Sequence, residues 1–206
     1  MSVPDRVAAA RLLLSLGPPP WHLRHSRAVA ETAGWLAARI AAQGIPVDRL
    51  LVESAALLHD VDKALPPDDP ASALPHGDGS ADWLHRRGHP ELARAVAGHP
   101  VTRLADAERY RRWSAFATRE ERIVAYADKR CGQRLESMAQ RFAGWRRRYP
   151  AREDGGSTWD HATIERVRAR AQRLEADVCR AAGVRPDQVR RLPWTGAALA
   201  TAQAAP

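Results

Sequence analysis

The stretch Glu53–Pro67, ESAALLHDVDKALPP, decides how the rest of the chain is read. Ala55, Ala56, Leu57 and Leu58 make the apolar end of a helix. His59, Asp60, Asp62 and Lys63 follow at once, and Pro66-Pro67 close the segment. A charge buried without a partner is costly. An imidazole beside a carboxylate at a core boundary therefore needs something to bind, and distant parts of the chain must supply it.

Working outward, the pattern is helical on both sides. The spacing predicts a first helix over 5–16, stopped by Gly17-Pro18-Pro19-Pro20, and a second over 21–43. Val29, Ala33, Leu36 and Ile40 recur at helical spacing on the second, and His25 lies one turn before Val29 on the same stripe. The third helix, 47–61, ends in the quoted stretch. Residues 64–80 read as a Pro-, Asp- and Gly-rich loop, 80–87 and 90–98 as short helices, and 100–117 as a further loop. Thr118 and Glu121 have capping-box spacing and open a helix through RIVAYADKR. Helices over 134–148 and 158–182 follow, separated by a polar loop at 153–157, and Gly183 closes the last. No alternating strand pattern and no repeat is present. The chain reads as one all-α domain: an N-terminal helix (1–19), a main helical bundle (20–150), a C-terminal helical extension (151–192) and an Ala-rich frayed tail (193–206).

Composition narrows the class. The chain has 206 residues and is 45% hydrophobic, enough for a real core. No apolar run approaches the roughly 20 residues that span a bilayer, and Val7–Leu16, which contains Arg11, reads as a helix and not a signal peptide. Cys131 and Cys179 are far apart and make no disulfide framework, which points to a reducing, cytoplasmic setting. The net charge is +8. Arginine supplies nearly all of the basic residues, mostly on helices with acidic neighbours, so nucleic-acid binding is disfavoured as the main function. Lys63 and Lys129 are the only lysines, and both sit beside acidic residues of the suspected site. A compact ammonium suits a phosphate oxygen.

His25, the His59-Asp60 pair, His76, His99 and Asp128 each fall at or near the end of an apolar segment. Inward-facing imidazoles and carboxylates at helix ends are what a metal site in a bundle requires. Mixed nitrogen and oxygen ligands without thiolate suit Mn, Fe, Co or Ni, with Zn and Mg poorer matches. His22, His85, His89 and His161 read as non-ligands, Cys131 as packing, and WRRRYP (Trp145–Pro150) as a solvated helix end.

These residues carry a resemblance. RHSRAVAETAGWLA (24–37), ALLHDVDK (56–63), HGDGSADWLHRRGHPELARAVAGHP (76–100) and IVAYADKR (123–130) together resemble the motifs of the HD superfamily of metal-dependent phosphohydrolases, over roughly residues 20–150. The bimetallic type, with the HD-type symmetrical diadenosine tetraphosphate hydrolases, is the nearest likeness. The resemblance implies that His25, His59, Asp60 and Asp128 hold one metal ion, and that Asp60 bridges to a second held by His76 and His99. It implies catalytic roles for Asp60 and Lys63. Substrate contacts fall to Lys63, Lys129 and Arg130, and the substrate is a small phosphorylated compound such as a nucleotide, cleaved by metal-activated water. Asp62 departs from the family pattern, where Gly is frequent, and reads as facing solvent or capping Lys63. Two other uses of the same cage stay open: a di-iron oxygenase, and a non-catalytic nucleotide- or RNA-binding module.

Overall fold

The computed structural model describes residues 3–150 and 159–204. The fold is all-α; among the described residues there are eleven α-helices and no strand. They are α1 (Arg6–Leu14), α2 (Pro20–Ala42), α3 (Arg49–Leu58), α4 (Asp78–Arg86), α5 (Pro90–Ala97), α6 (Thr102–Ala105), α7 (Ala107–Phe116), α8 (Arg119–Arg130), α9 (Met138–Arg148), α10 (His161–Ala182) and α11 (Thr195–Ala204). No described helix is long and apolar enough to cross a membrane.

Local chemistry sets the helix ends. Asp5 and Asp48 cap α1 and α3 by accepting from Ala8 N and Leu51 N. Pro20 takes the first position of α2, where a missing N–H costs nothing. Thr118 and Glu121 form the expected capping box at α8, and Gly183, at φ 65°, closes α10 in the left-handed conformation.

The centre of the molecule is α2 packed against α3 and α8. Val29, Leu36 and Ile40 of α2, Val52, Leu57 and Leu58 of α3, and Ile123, Val124 and Tyr126 of α8 are fully buried. Each such aliphatic side chain stabilises the fold by about 1.5–3 kcal/mol. Ala28, Ala30, Ala33 and Ala37 keep α2 slim, so its neighbours approach closely. The polar ends of α2, α3, α5 and α8 are thereby gathered on one side.

Two stretches differ from the sequence reading. Residues 100–117 are not a loop: they form α6 and α7, whose helical face packs partly buried Tyr110 and Trp113 against the core. Residues 193–204, part of the segment expected to be a frayed tail, are ordered into the fold. Trp194 is buried, and α11 packs on α1 with Ala198, Leu199 and Ala202 inward. Thr195 Oγ1 donates to the buried Glu31 carboxylate, which also binds Arg191 at 2.7 Å. Alanine gives little hydropathy contrast along a helix, so the periodicity of this segment was weak. The C-terminal helical extension, α10, packs against α2, α6 and α8. The loop expected at 153–157 lies outside the described residues.

Candidate metal centre

Six side chains from five segments converge. His25 sits in the second turn of α2, His59 caps the C-terminus of α3, and Asp60 follows it. His76 precedes α4, His99 follows α5, and Asp128 lies in the last turn of α8. Ligand atoms of His25, His59 and Asp128 lie within 4.8 Å of one another, as do those of His59, Asp60 and His99, and those of Asp60, Asp62 and His76.

The four imidazoles share one arrangement. His25 Nδ1 donates to Gly132 O at 2.7 Å, His59 Nδ1 to Ala56 O at 2.8 Å, and His99 Nδ1 to Val96 O at 2.7 Å. His76 Nδ1 donates to Asp62 Oδ2 at 2.8 Å. Each of those oxygens can only accept, so each Nδ1 carries the hydrogen and each neutral ring turns its Nε2 lone pair inward. The Nε2 atoms then face one another, His25 to His59 at 3.1 Å and His76 to His99 at 3.3 Å. Lone pairs opposed at that range repel, so the arrangement calls for positive charge beside them, supplied by a proton or by a metal ion bound by both. Anchoring one ring nitrogen so that the other can bind a metal is the usual support of a histidine ligand. The donor set therefore fits divalent metal.

Asp60 joins the two halves. It is 1% exposed. Its Oδ2 lies 3.3 Å from His25 Nε2 and 2.5 Å from Lys63 Nζ. Its Oδ1 lies 3.1 Å from His99 Nε2, 3.3 Å from His76 Nε2 and 3.5 Å from His59 Nε2. Burial opposes its charge, but the surrounding imidazoles and Lys63 outweigh burial and hold the carboxyl well below the usual range. Asp128 is held low in the same way by His25 and His59, against its own desolvation. Burial would lower His25 too, yet its bonds to Asp128 and Asp60 prevail and raise it to about 9. In the metal-free protein His25 thus takes up a proton in place of a metal ion. His99 is pushed down to about 4 by burial and keeps its lone pair.

Asp62 does not face solvent. Its Oδ2 accepts from both His76 Nδ1 and Gly77 N at 2.8 Å. Gly77, at φ 86°, lets the chain reverse there; a Cβ would stand 2.6 Å from Pro100 Cγ. Lys63 lines the cavity and donates to Asp60 Oδ2. Lys129 and Arg130 do not contact the site's cavity as expected. Lys129 is fully buried and donates to His99 O at 2.5 Å and Ala125 O at 3.2 Å. Arg130 donates to Tyr126 Oη at 2.6 Å and Glu136 O at 2.8 Å, and pairs with Glu175. Successive helix residues diverge by about 100°, so inward-facing Asp128 turns its neighbours elsewhere. His22 is buried one turn before His25 and outside the converging groups, and burial pushes it to about 4. Cys131 is packing: burial raises its thiol to about 12.

A cavity of about 450 Å3 opens over Asp60. His25, His76, Asp128 and Lys63 form its inner part, and Trp21, Arg141, Arg148 and Tyr149 its outer wall. Arg148 and Tyr149 belong to the Trp145–Pro150 segment, which the sequence reads as a solvated helix end; no sequence spacing connects Arg141 of α9 to the cluster, and the sequence does not single it out.

Helices whose ends close a histidine–carboxylate cage around such a cavity define a metal-binding α-helical domain. The HD domain family model matches residues 23–131, more than half of the chain and an interval holding all six converging residues, and the chain belongs to that family. No curated protein and no solved structure matches it. HD domains bind divalent metal ions, and most are metal-dependent hydrolases.

Proposed function

We propose that this HD domain protein hydrolyses a phosphoester or phosphoanhydride bond of a nucleotide or dinucleoside polyphosphate, using two divalent transition-metal ions. One observation carries the reading: a single buried carboxylate, Asp60, faces all four imidazoles, His25 through Oδ2 and His59, His76 and His99 through Oδ1, below an open cavity that also holds Lys63.

His25, His59 and Asp128 would hold one ion, and His76 and His99 the other, with Asp60 shared. Bound there, the ions would supply Lewis acidity toward a water and toward phosphoryl oxygens. Asp60, anionic throughout the neutral range, would orient the attacking water and accept its hydrogen bond. Lys63, 35% exposed at the cavity wall, would offset charge growing on the phosphoryl oxygens. The buried floor would exclude bulk water and strengthen both contacts.

The test is elemental analysis of protein purified without added metal, then a phosphate-release screen over dinucleoside polyphosphates, nucleotides and sugar phosphates. Asp60→Ala should lose both metal and turnover while its helical circular dichroism persists. Turnover retained by metal-free Asp60→Ala protein would refute the proposal.

A further inference from the structure

The cavity is larger than a reacting phosphoryl group needs, and its outer wall has its own chemistry. Trp21 stands at the mouth, 43% exposed, in the first turn of α2. It precedes His25 by four residues, so both lie on one face of the helix, about 5–6 Å apart at Cβ. Tyr149, which caps α9, also lines the cavity, its ring stacked on Trp159 at 4.2 Å and 18°. That stacking fixes the plane of Tyr149. Arg141 and Arg148, on the same helix, line the same cavity. Arg141 is held in place by its Nε donating to Lys129 O at 3.2 Å.

We infer that the outer cavity is a subsite for the planar ring and the non-reacting phosphates of a nucleoside polyphosphate. The ring lies on Trp21 and the additional phosphates meet Arg141 and Arg148. An exposed tryptophan beside cations suits a flat, apolar-faced, anionic ligand: bases stack on indole through their π-faces, and guanidinium forks match phosphate oxygens. One helical turn between Trp21 and His25 leaves room for a sugar between the ring and the phosphoryl group over the metal centre. A sugar phosphate or inorganic polyphosphate would leave Trp21 unused. The inference rests on the phosphohydrolase reading and names the residues that choose its substrate.

The test compares adenosine triphosphate with inorganic tripolyphosphate, which has the same phosphates and no ring, on manganese-loaded wild type, Trp21→Ala and Trp21→Phe. Trp21→Ala should raise KM for the nucleotide about tenfold, leave kcat and tripolyphosphate cleavage unchanged, and keep wild-type metal content; Trp21→Phe should recover most of the loss. Equal effects on both substrates, or none on either, would overturn the subsite. Calorimetric titration of adenosine diphosphate and pyrophosphate separates the two ideas. Ring-dependent affinity that Trp21→Ala abolishes, in a protein that hydrolyses nothing, keeps the subsite and removes the hydrolase. Equal affinity for both probes, or binding of neither, overturns the subsite whatever the turnover.

Discussion

Replacing Asp62 by Ala removes an acceptor that serves two donors, His76 Nδ1 and Gly77 N, each at 2.8 Å. Two consequences follow. The His76 ring loses the contact that fixes its tautomer and aims Nε2 at Asp60, and supports of this kind are worth about 10–100-fold in metal affinity. The Gly77 N–H, beneath Pro100 in a buried turn, loses its partner, at a cost of about 1–3 kcal/mol. Asp62 and Asp60 repel each other, so the substitution also brings some relief. Two charge-assisted hydrogen bonds outweigh that repulsion, because Asp62 is held below its usual range despite burial. A net loss of about 2 kcal/mol in a chain of this size lowers Tm by about 4–8 °C. Metal bound at the His76–His99 side should weaken by one to two orders of magnitude, and metal at the His25–His59–Asp128 side should be unchanged. Equilibrium dialysis against manganese with elemental analysis reads the stoichiometry. His25→Ala in the same background should then remove the binding that remains. Asp62→Asn, which keeps an acceptor oxygen but not the charge, should fall between. Wild-type affinity for both ions in Asp62→Ala would show that the carboxylate does not orient His76.

Further outcomes can be checked directly. His25 has a folded pKa of about 9, above its ordinary value, so its ion pairs stabilise metal-free protein fully below about pH 6.5 and fade as pH rises through 9. Metal must displace that proton, so affinity should rise with pH up to about 9, with about one proton released per first ion near neutrality; calorimetry in buffers of different ionisation enthalpy measures it, and zero release would refute the assignment. Lys129→Met should weaken metal binding about tenfold by freeing the His99 main chain, with KM unchanged at full metal occupancy. A raised KM would return Lys129 to the substrate. Truncation after Pro193 should cost roughly 3–5 kcal/mol through Trp194, Leu199 and the Thr195–Glu31 bond, seen as a Tm drop on the order of 10 °C; an unchanged melt would mean that α11 contributes nothing.

Periodicity made much of this legible. The stripe from His25 through Ile40 oriented α2, the Thr118–Glu121 box placed α8, and one turn from Val124 set Asp128 inward. The Asp62–His76 bond was not legible, because it crosses fourteen residues of irregular chain and depends on a left-handed Gly77. The place of Lys129 was not legible for a different reason: it adjoins Asp128 in sequence, but a helix turns adjacent side chains apart. The Arg141–Tyr149 wall depends on how α9 folds back over the cavity, which hydropathy does not encode.

His59 and His99 are each locked by the carbonyl three residues back, Ala56 O and Val96 O, at the ends of α3 and α5. Their spacing is therefore set by secondary structure before any ion arrives, and the carbonyl-rich ends of both helices point a negative dipole at the same place. A cage of fixed span sorts ions by radius. Calcium prefers six to eight flexible oxygen donors, and the four imidazoles held here offer it nitrogen instead, so its abundance alone would not make it a competitor.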